Sequence, residues 1–375
     1  MQIPMNDRLI ITGGGTGGHI FPALAIAEAV KEKLPHADIL FVGAKGRMEM
    51  NIVPQAGYKI IGLDCAGFQR NKILKNLKLP FKILKSLIQA YKIVISFKPS
   101  AVVGVGGYAS TPVLFLARLF KIPYLIQEQN SYAGIANKIL AKGARYICVA
   151  YPGMEQFFPK NKLVLTGNPI RKNLIHVDLL RLPALFYFKL SDDKKTILVI
   201  GGSLGAESIN RAIAANLDTI ITNNVQLIWQ TGKNFYEQAL QITQPKSNSN
   251  GWGDVKVFKF IDRMDLAYAA ANLVISRAGA LSIAELANAA KPCILVPSPH
   301  VADNHQTHNA LTLAKSSAAV VINDSQVKQT LVTTALKLLS NRDKLLELST
   351  QISKFAKPNA AEEIADLTIK LMKKV

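Results

Sequence analysis

Three times in this chain a short apolar run stops at a pair of glycines and passes at once into a helix-forming segment. Leu9-Ile10-Ile11-Thr12 leads into Gly13-Gly14-Gly15-Thr16-Gly17-Gly18-His19 and the run Pro22 to Val30. Ala101–Val105 leads into Gly106-Gly107-Tyr108-Ala109-Ser110, and Thr196–Ile200 into Gly201-Gly202-Ser203-Leu204-Gly205-Ala206. A strand, a glycine turn and a helix in that order leave backbone N–H groups unpaired at a helix N-terminus, where the dipole favours an anion such as a phosphate. Glycine suits the turn because it visits positive φ and because a Cβ would hold the ligand away. None of the three is a P-loop, since no Gly-Lys-Ser/Thr follows. The first carries surplus glycines for a dinucleotide fingerprint, and Asp38 poorly matches the acid expected on the ribose.

Strands and helices alternate through both halves. Strand candidates are Leu9–Thr12, Ile39–Val42, Lys59–Leu63, Ala101–Val105, Tyr124–Ile126, Tyr146–Val149 and Leu163–Leu165, then, after a poorly periodic stretch from about Leu174 to Lys195, Thr196–Ile200, Gln226–Trp229, Val255–Phe260, Leu273–Ser276, Ile294–Val296 and Ala319–Ile322. Nearly continuous apolar, β-branched strands predict parallel sheets covered on both faces. The fold class is therefore α/β, with two Rossmann-like domains in tandem, and 375 residues are enough for two cores. Two glycine turns in one domain and one in the other predict two phosphorylated ligands meeting across a cleft. Near the C-terminus, Asn359 and Glu362 have capping-box spacing, and Ile364, Leu367 and Leu371 form an apolar stripe that must pack, with the first domain as a candidate.

The net charge is +20, from 45 basic and 25 acidic residues, and it is unevenly spread. No acidic residue stands between Asp64 and Glu128, while Arg70, Lys72, Lys75, Lys78, Lys82, Lys85, Lys92 and Lys98 accumulate. That asymmetry points to an anionic partner, nucleic acid or a membrane surface. Leu74, Leu77, Phe81, Leu84 and Ile88 recur at helical spacing beside Lys75, Lys78, Lys82 and Lys85, with Pro80 expected to divide the run into two short helices. An apolar face edged by lysines suits an anionic bilayer; it equally describes a core-facing helix with a solvated edge. No run reaches the length of a spanning helix, and strand one begins too early for a signal peptide. Cys65, Cys148 and Cys293 are few, scattered and in apolar surroundings, which reads as reduced packing residues of a cytosolic protein.

A fourth helix entry, Arg277-Ala278-Gly279-Ala280-Leu281-Ser282-Ile283-Ala284-Glu285, follows strand Leu273–Ser276. Ser282 reads as its cap and Glu285, one turn inside, as an acceptor for two ribose hydroxyls; an ordinary capping pair is the alternative. His300, Asp303, His305 and His308 look metal-like but lack zincin spacing, and a structural or sugar-binding role fits them better. Asp192-Asp193 lies in the linker, away from any strand end.

Taken in order, Gly14–His19, Gly106-Gly107-Tyr108, Glu128-Gln129-Asn130, Gly167-Asn168-Pro169-Ile170-Arg171, Gly201–Ala206 and Arg277–Leu281 resemble the motifs of one enzyme family over nearly the whole chain. It is the N-acetylglucosaminyltransferase family that converts a lipid-linked muramyl-pentapeptide, lipid I, to lipid II in peptidoglycan synthesis. The resemblance implies a GT-B fold, with an acceptor and membrane-facing domain over residues 1–168, a UDP-sugar domain over 169–358, and the helix 359–375 free to pack back on the first. It implies UDP-N-acetylglucosamine and an undecaprenyl-diphosphate-linked muramyl-pentapeptide as substrates, no cofactor or metal, no nucleic acid, and a peripheral place on the cytoplasmic face of the cell membrane.

The resemblance also assigns roles. Ile261 would meet the uracil through its backbone and Glu285 the ribose. Ser203 and the helix start at Ala280, Leu281 and Ser282 would hold the diphosphate, with Arg171 adding charge. Asn130 and Gln306 would bind the sugar hydroxyls, Thr16, Gly17 and Gly18 would close on the donor, and Gly106, Gly107 and Tyr108 would bind the acceptor diphosphate. His305-Gln306 replaces a glutamine pair of some relatives, and Ser282 and Ala284 replace a common Thr and Ser. An inverting displacement needs a base near the attacking hydroxyl and positive potential at the leaving diphosphate. His19 and Glu128 are the base candidates, although His19 equally suits a helix cap or an acceptor-phosphate ligand. Two rivals remain: a UDP-N-acetylglucosamine 2-epimerase of the same fold, and a basic nucleic-acid-binding protein, for which the lysine stretch lacks interleaved aromatics.

Overall fold

A computed structural model describes residues 7–65, 79–175, 177–202, 204–244, 252–299, 301 and 304–373. The chain forms two compact units, Met1–Arg171 with Lys357–Val375, and Lys172–Ala356.

The first unit runs β1 (Arg8–Thr12), α1 (Gly17–Lys33), β2 (Asp38–Ala44), α2 (Glu49–Gln55), β3 (Lys59–Leu63), α3 (Leu79–Phe97), β4 (Ala101–Gly104), α4 (Ser110–Leu119), β5 (Tyr124–Glu128), α5 (Ile135–Leu140), β6 (Tyr146–Val149) and β7 (Leu163–Leu165). The strands are parallel in the order β3-β2-β1-β4-β5-β6-β7, with Leu9 opposite both Ile39 and Ala101. Successive side chains alternate between faces, so each strand feeds two apolar layers. Leu9, Ile11, Ile39, Phe41 and Val103 pack under α1, while Ile10, Leu40, Val42, Val102 and Ile126 pack with α3 and α4.

The second unit runs α6 (Arg181–Phe188), β8 (Lys195–Ile200), α7 (Glu207–Ala215), α8 (Leu217–Thr222), β9 (Val225–Gln230), α9 (Tyr236–Thr243), β10 (Val255–Phe258), α10 (Met264–Ala270), β11 (Leu273–Ser276), α11 (Ala280–Asn288), β12 (Cys293–Leu295), α12 (His305–Lys315), β13 (Val320–Val321), α13 (Val327–Ser340) and α14 (Arg342–Ser353). Its parallel sheet has the order β10-β9-β8-β11-β12-β13. The last helix, α15 (Ala360–Met372), belongs to the first unit, where Ile364, Ala365, Leu371 and Met372 are buried in the layer that holds α1.

Two local expectations change. The stretch 174–195 holds α6, whose Ala184, Leu185 and Phe188 are buried. Pro80 stands in the first turn of α3, where a missing N–H costs nothing, and α3 then continues to Phe97; the part of the run before it, Leu74 to Lys78, lies outside the described residues. Asn359 is the N-cap of α15, but its side chain makes no capping hydrogen bond. Among the described residues no helix is long and apolar enough to cross a membrane. All three cysteines are free, Cys148 and Cys293 being fully buried and Cys65 partly so.

Candidate active site

Each sheet has one place where the strand order reverses, and open α/β sheets bind ligands beyond the strand ends at that place. In the first unit it lies between β1 and β4, which are hydrogen-bonded neighbours. The first two glycine turns leave the sheet there side by side. Gly107, at φ +85°, packs so closely on the Gly14 carbonyl that a Cβ would overlap it. Gly106, at φ +91°, lies under the His19 ring, where a Cβ would stand 2.9 Å from Cδ2 and 3.0 Å from Nε2. His19 is in the first turn of α1, with Nδ1 3.1 Å from the Thr16 hydroxyl. Gly17 and Gly18 open α1, at positions whose N–H groups have no partner within a helix. Tyr108 is 61% exposed at the tip of the second turn.

Behind the first turn stands Glu49, which the sequence did not mark. It is 1% exposed, and its Oε1 accepts hydrogen bonds from Gly15 N (3.0 Å) and Ala44 N (2.9 Å). The Gly15 amide, one of the donors expected to cradle a phosphate, is therefore already engaged. The anion-binding capacity of this region rests on the start of α1 and on the second turn.

The end of β5 is organised by buried amides. Gln129 donates to Val105 O at 3.0 Å, Asn168 to Gln129 O at 3.0 Å, and Gln127 to Asn168 Oδ1 at 2.8 Å. Glu128 is buried too, and both its oxygens face the following loop. Oε1 accepts from Asn130 N (3.1 Å), and Oε2 accepts from Gly134 N (3.1 Å) and Asn137 Nδ2 (2.8 Å). With Asn130 Nδ2 at 3.5 Å from Oε1 as a fourth donor, the Glu128 carboxylate anchors the loop that carries Asn130. Arg171 places its guanidinium 5.1 Å from the centre of the Phe21 ring, whose edge also lies against Gly17. Arg171 thus joins the start of α1.

In the second unit the reversal lies between β8 and β11. The third glycine turn and the start of α11 leave these adjacent strands together; Ser203 itself lies outside the described residues. Gln230, at the end of β9, links the neighbourhood by donating to Gly202 O at 3.4 Å and accepting from Ile261 N at 2.9 Å. The Ile261 amide is thereby committed to Gln230. Gly205 abuts the Thr231 carbonyl, which also accepts from Asn210 Nδ2 at 2.8 Å.

Helix α11 is capped by Gly279 in extended conformation, so Ser282 is its third residue and not its cap. Ala280 is buried, and Leu281 and Ser282 are partly so. Glu285 is buried, and its Oε2 accepts from the Tyr268 hydroxyl at 2.9 Å. Tyr268 on α10 is a partner that no sequence motif announced. Next along the sheet, Gln306 in the first turn of α12 accepts from Ser298 N at 2.9 Å. His305 and His308 share that turn, His300 and Asp303 lie outside the described residues, and no metal-holding cluster of His, Cys, Asp or Glu occurs among those described. Arg277 binds the Ser208 hydroxyl (2.9 Å) and Asp324, joining α11's entry to α7 and to the turn before α13.

A separate surface lies on α3. Its Ala90, Ile93 and Val94 are buried in the core, whereas Phe81 (76% exposed), Leu84 and Ile88 face outward. Lys82 and Lys85 are exposed beside them, Lys85 in a 2.8 Å ion pair with Asp64. The described part of the stripe that periodicity identified thus faces outward. Tyr91 on α3 and Phe120 after α4 extend it, their rings 5.9 Å apart. Leu74, Leu77, Lys75 and Lys78 lie outside the described residues.

Two Rossmann-like parallel sheets, with two glycine turns at the reversal point of the first and one at that of the second, make the GT-B class of fold. Residues 9–149 match the glycosyltransferase family 28 N-terminal domain and residues 196–364 its C-terminal domain. A protein of Parabacteroides distasonis named UDP-N-acetylglucosamine--N-acetylmuramyl-(pentapeptide) pyrophosphoryl-undecaprenol N-acetylglucosamine transferase is 52% identical, over 98% of this chain and 99% of its own. One of Flavobacterium psychrophilum with the same name is 51% identical over 97% and 98%. The crystal structure of Acinetobacter baumannii MurG is similar at TM-score 0.74 and 31% identity, covering 97% of this chain and 99% of that one. A putative UDP-N-acetylglucosamine 2-epimerase from Listeria monocytogenes, 14% identical at TM-score 0.68 over 98% and 96%, shares the fold alone. The chain belongs to glycosyltransferase family 28.

Proposed function

We propose that this chain transfers N-acetylglucosamine from UDP-N-acetylglucosamine to the 4-hydroxyl of undecaprenyl-diphosphate-linked N-acetylmuramyl-pentapeptide, with inversion at the anomeric carbon. This is the step from lipid I to lipid II in peptidoglycan synthesis. The observation that carries it is 52% identity, along almost the whole of both chains, to a relative named for that transfer.

We assign the acceptor to the first unit and most of the donor to the second. Gly106, Gly107 and Tyr108 bind the acceptor diphosphate at the start of α4. His19 is the base: with Nδ1 paired to the Thr16 hydroxyl, Nε2 is the ring nitrogen that takes the proton of the attacking hydroxyl. Glu128 holds the loop that carries Asn130, and Asn130 and Gln306 bind sugar hydroxyls. Glu285 takes the ribose, Ile261 the uracil through its carbonyl, and Ser203 with Ala280, Leu281 and Ser282 the diphosphate. Thr16, Gly17 and Gly18 contribute to the same donor. As UDP leaves, its charge is met by helix N-terminal amides and by Arg171. Incubation with labelled donor and the lipid acceptor is expected to move label into the lipid fraction; release of labelled N-acetylmannosamine would overturn the reading in favour of an epimerase.

We also infer that α3 rests on the anionic cytoplasmic leaflet, as a peripheral contact. The exposed Phe81, Leu84 and Ile88 flanked by Lys82 support this, since apolar burial and lysine attraction add at a bilayer surface. Sedimentation with anionic vesicles in preference to duplex DNA is the expected result, and preference for DNA would reverse it.

A further inference from the structure

The least economical group in the first unit is Glu49. A carboxylate removed from water is costly unless its oxygens are satisfied. Here Oε1 accepts two amides, but Oε2 is buried with no hydrogen-bond partner among the described residues. Stability alone gives no reason to keep such a group, because a smaller or neutral residue would avoid the desolvation. Its surroundings supply a reason of another kind.

The side chain lies flat against two glycines. A Cβ on Gly14 would overlap the Glu49 carboxylate, and a Cβ on Gly43 would stand 2.7 Å from its Cγ. On the opposite side of the same turn, the Gly14 carbonyl meets Gly107, and Gly106 meets the His19 ring. The order of contact is therefore Glu49, then the Gly14–Gly15 turn, then the Gly106–Gly107 turn with His19 against it. Gly14 and Gly15 have φ of +145° and +93°, where a glycine backbone has many alternatives and no side chain to fix one. The two hydrogen bonds to Oε1 tie Gly15 to Ala44, the last residue of β2, and so fix the turn to the sheet.

We propose that Glu49 is a positioning residue for transfer: its buried carboxylate sets the height of the first glycine turn and thereby the placement of His19 over the second. The inference rests on the assignment of His19 as base and of Gly106–Tyr108 as acceptor site. Glu49 touches neither substrate. Its removal therefore acts mainly on kcat, because a reacting group displaced by about 1 Å can cost about 100-fold in rate, while of the donor contacts only those assigned to Thr16, Gly17 and Gly18 move with the turn.

The test compares Glu49→Ala, Glu49→Gln and wild type in steady-state transfer, with donor KM, Tm and the pH profile of kcat read together. In E49A kcat is expected to fall about 10- to 100-fold, with a smaller rise in donor KM, about fivefold at most, through Thr16, Gly17 and Gly18, and the acidic limb of the profile kept. In E49Q, whose Oε1 still accepts both amides, most of the rate is expected to return. A wild-type kcat in folded E49A overturns the proposal. So does a loss of kcat matched by a rise in donor KM and a fall in Tm, which would make Glu49 a merely structural residue. Should E49A not fold, amide exchange in the wild type still decides: Gly15 and Ala44 N–H are expected to be protected together, and fast exchange at Gly15 overturns the proposal. Failure of the transferase reading itself is distinguishable, since wild type would then form no lipid-linked product.

Discussion

At the scale of single residues, the carboxylate proposed to take the donor's ribose is itself held in place. Tyr268 is fully buried and donates its hydroxyl to Glu285, so one oxygen of the acid is oriented before any ligand arrives. Glu285→Ala is expected to weaken donor binding by about 10- to 100-fold in calorimetry with Tm little changed, the scale of lost charge-assisted hydrogen bonds. Tyr268→Phe should weaken it by about fivefold, because it frees the carboxylate without removing it. An unchanged donor affinity in E285A would remove the ribose assignment. These residues were unequally legible. Glu285 stands in a motif, whereas Tyr268, Gln230 and Glu49 are isolated polar residues whose importance lies in burial, which a single sequence does not display. Ser282 misled because a serine three residues before an acid has the spacing of a cap, while the helix starts earlier at Gly279.

At the scale of elements, α10 ends against two cations. Arg181 donates to Ala270 O at 3.2 Å and Lys291 to Ala271 O at 3.1 Å, satisfying carbonyls that a helix C-terminus leaves unpaired. Burial, with Arg181 adding repulsion, lowers the Lys291 amine to about 8. The unfolded chain binds this proton up to the ordinary lysine range and the folded one does not. The contribution of Lys291 is therefore fully present above about pH 10.5 and is lost as pH falls through about 8. Chemical unfolding of wild type against Lys291→Met should show the difference shifting in favour of wild type between these values, by up to about 3 kcal/mol. A constant difference would refute the assignment.

Helix α6, which supplies Arg181, was illegible for a plain reason. Leu179, Leu182, Phe186 and Tyr187 are all exposed, and Pro183 interrupts the run, so no one-sided apolar period marks it. The strands were easy by comparison, because burial on both faces makes them continuous apolar runs. For α15, Ile364→Ala is expected to destabilise the first unit by about 2–5 kcal/mol in thermal or denaturant unfolding, since Ile364 is fully buried against α1.

At the scale of the whole molecule, the proposed membrane contact draws on both the excess of 20 positive charges and the outward stripe of α3. Phe81→Ser with Leu84→Ser should lower partition to anionic vesicles about 100-fold, from two apolar side chains of roughly 1.5 kcal/mol each, with Tm preserved because both are already exposed. Raising salt should weaken the remaining charge-driven part. Partition indifferent to both changes would place the contact elsewhere.

The return of α15 to the first unit has a consequence for how the protein is made. The layer over Leu9, Ile11 and Val103 is complete only when Ile364 and Leu371 arrive, and they follow all of Lys172–Ala356. A chain emerging at ribosomal speed must therefore hold an unfinished first unit for on the order of ten seconds while the second completes itself. The part synthesised first is the last to close, and through that interval one flank of α1 stays uncovered and open to a chaperone.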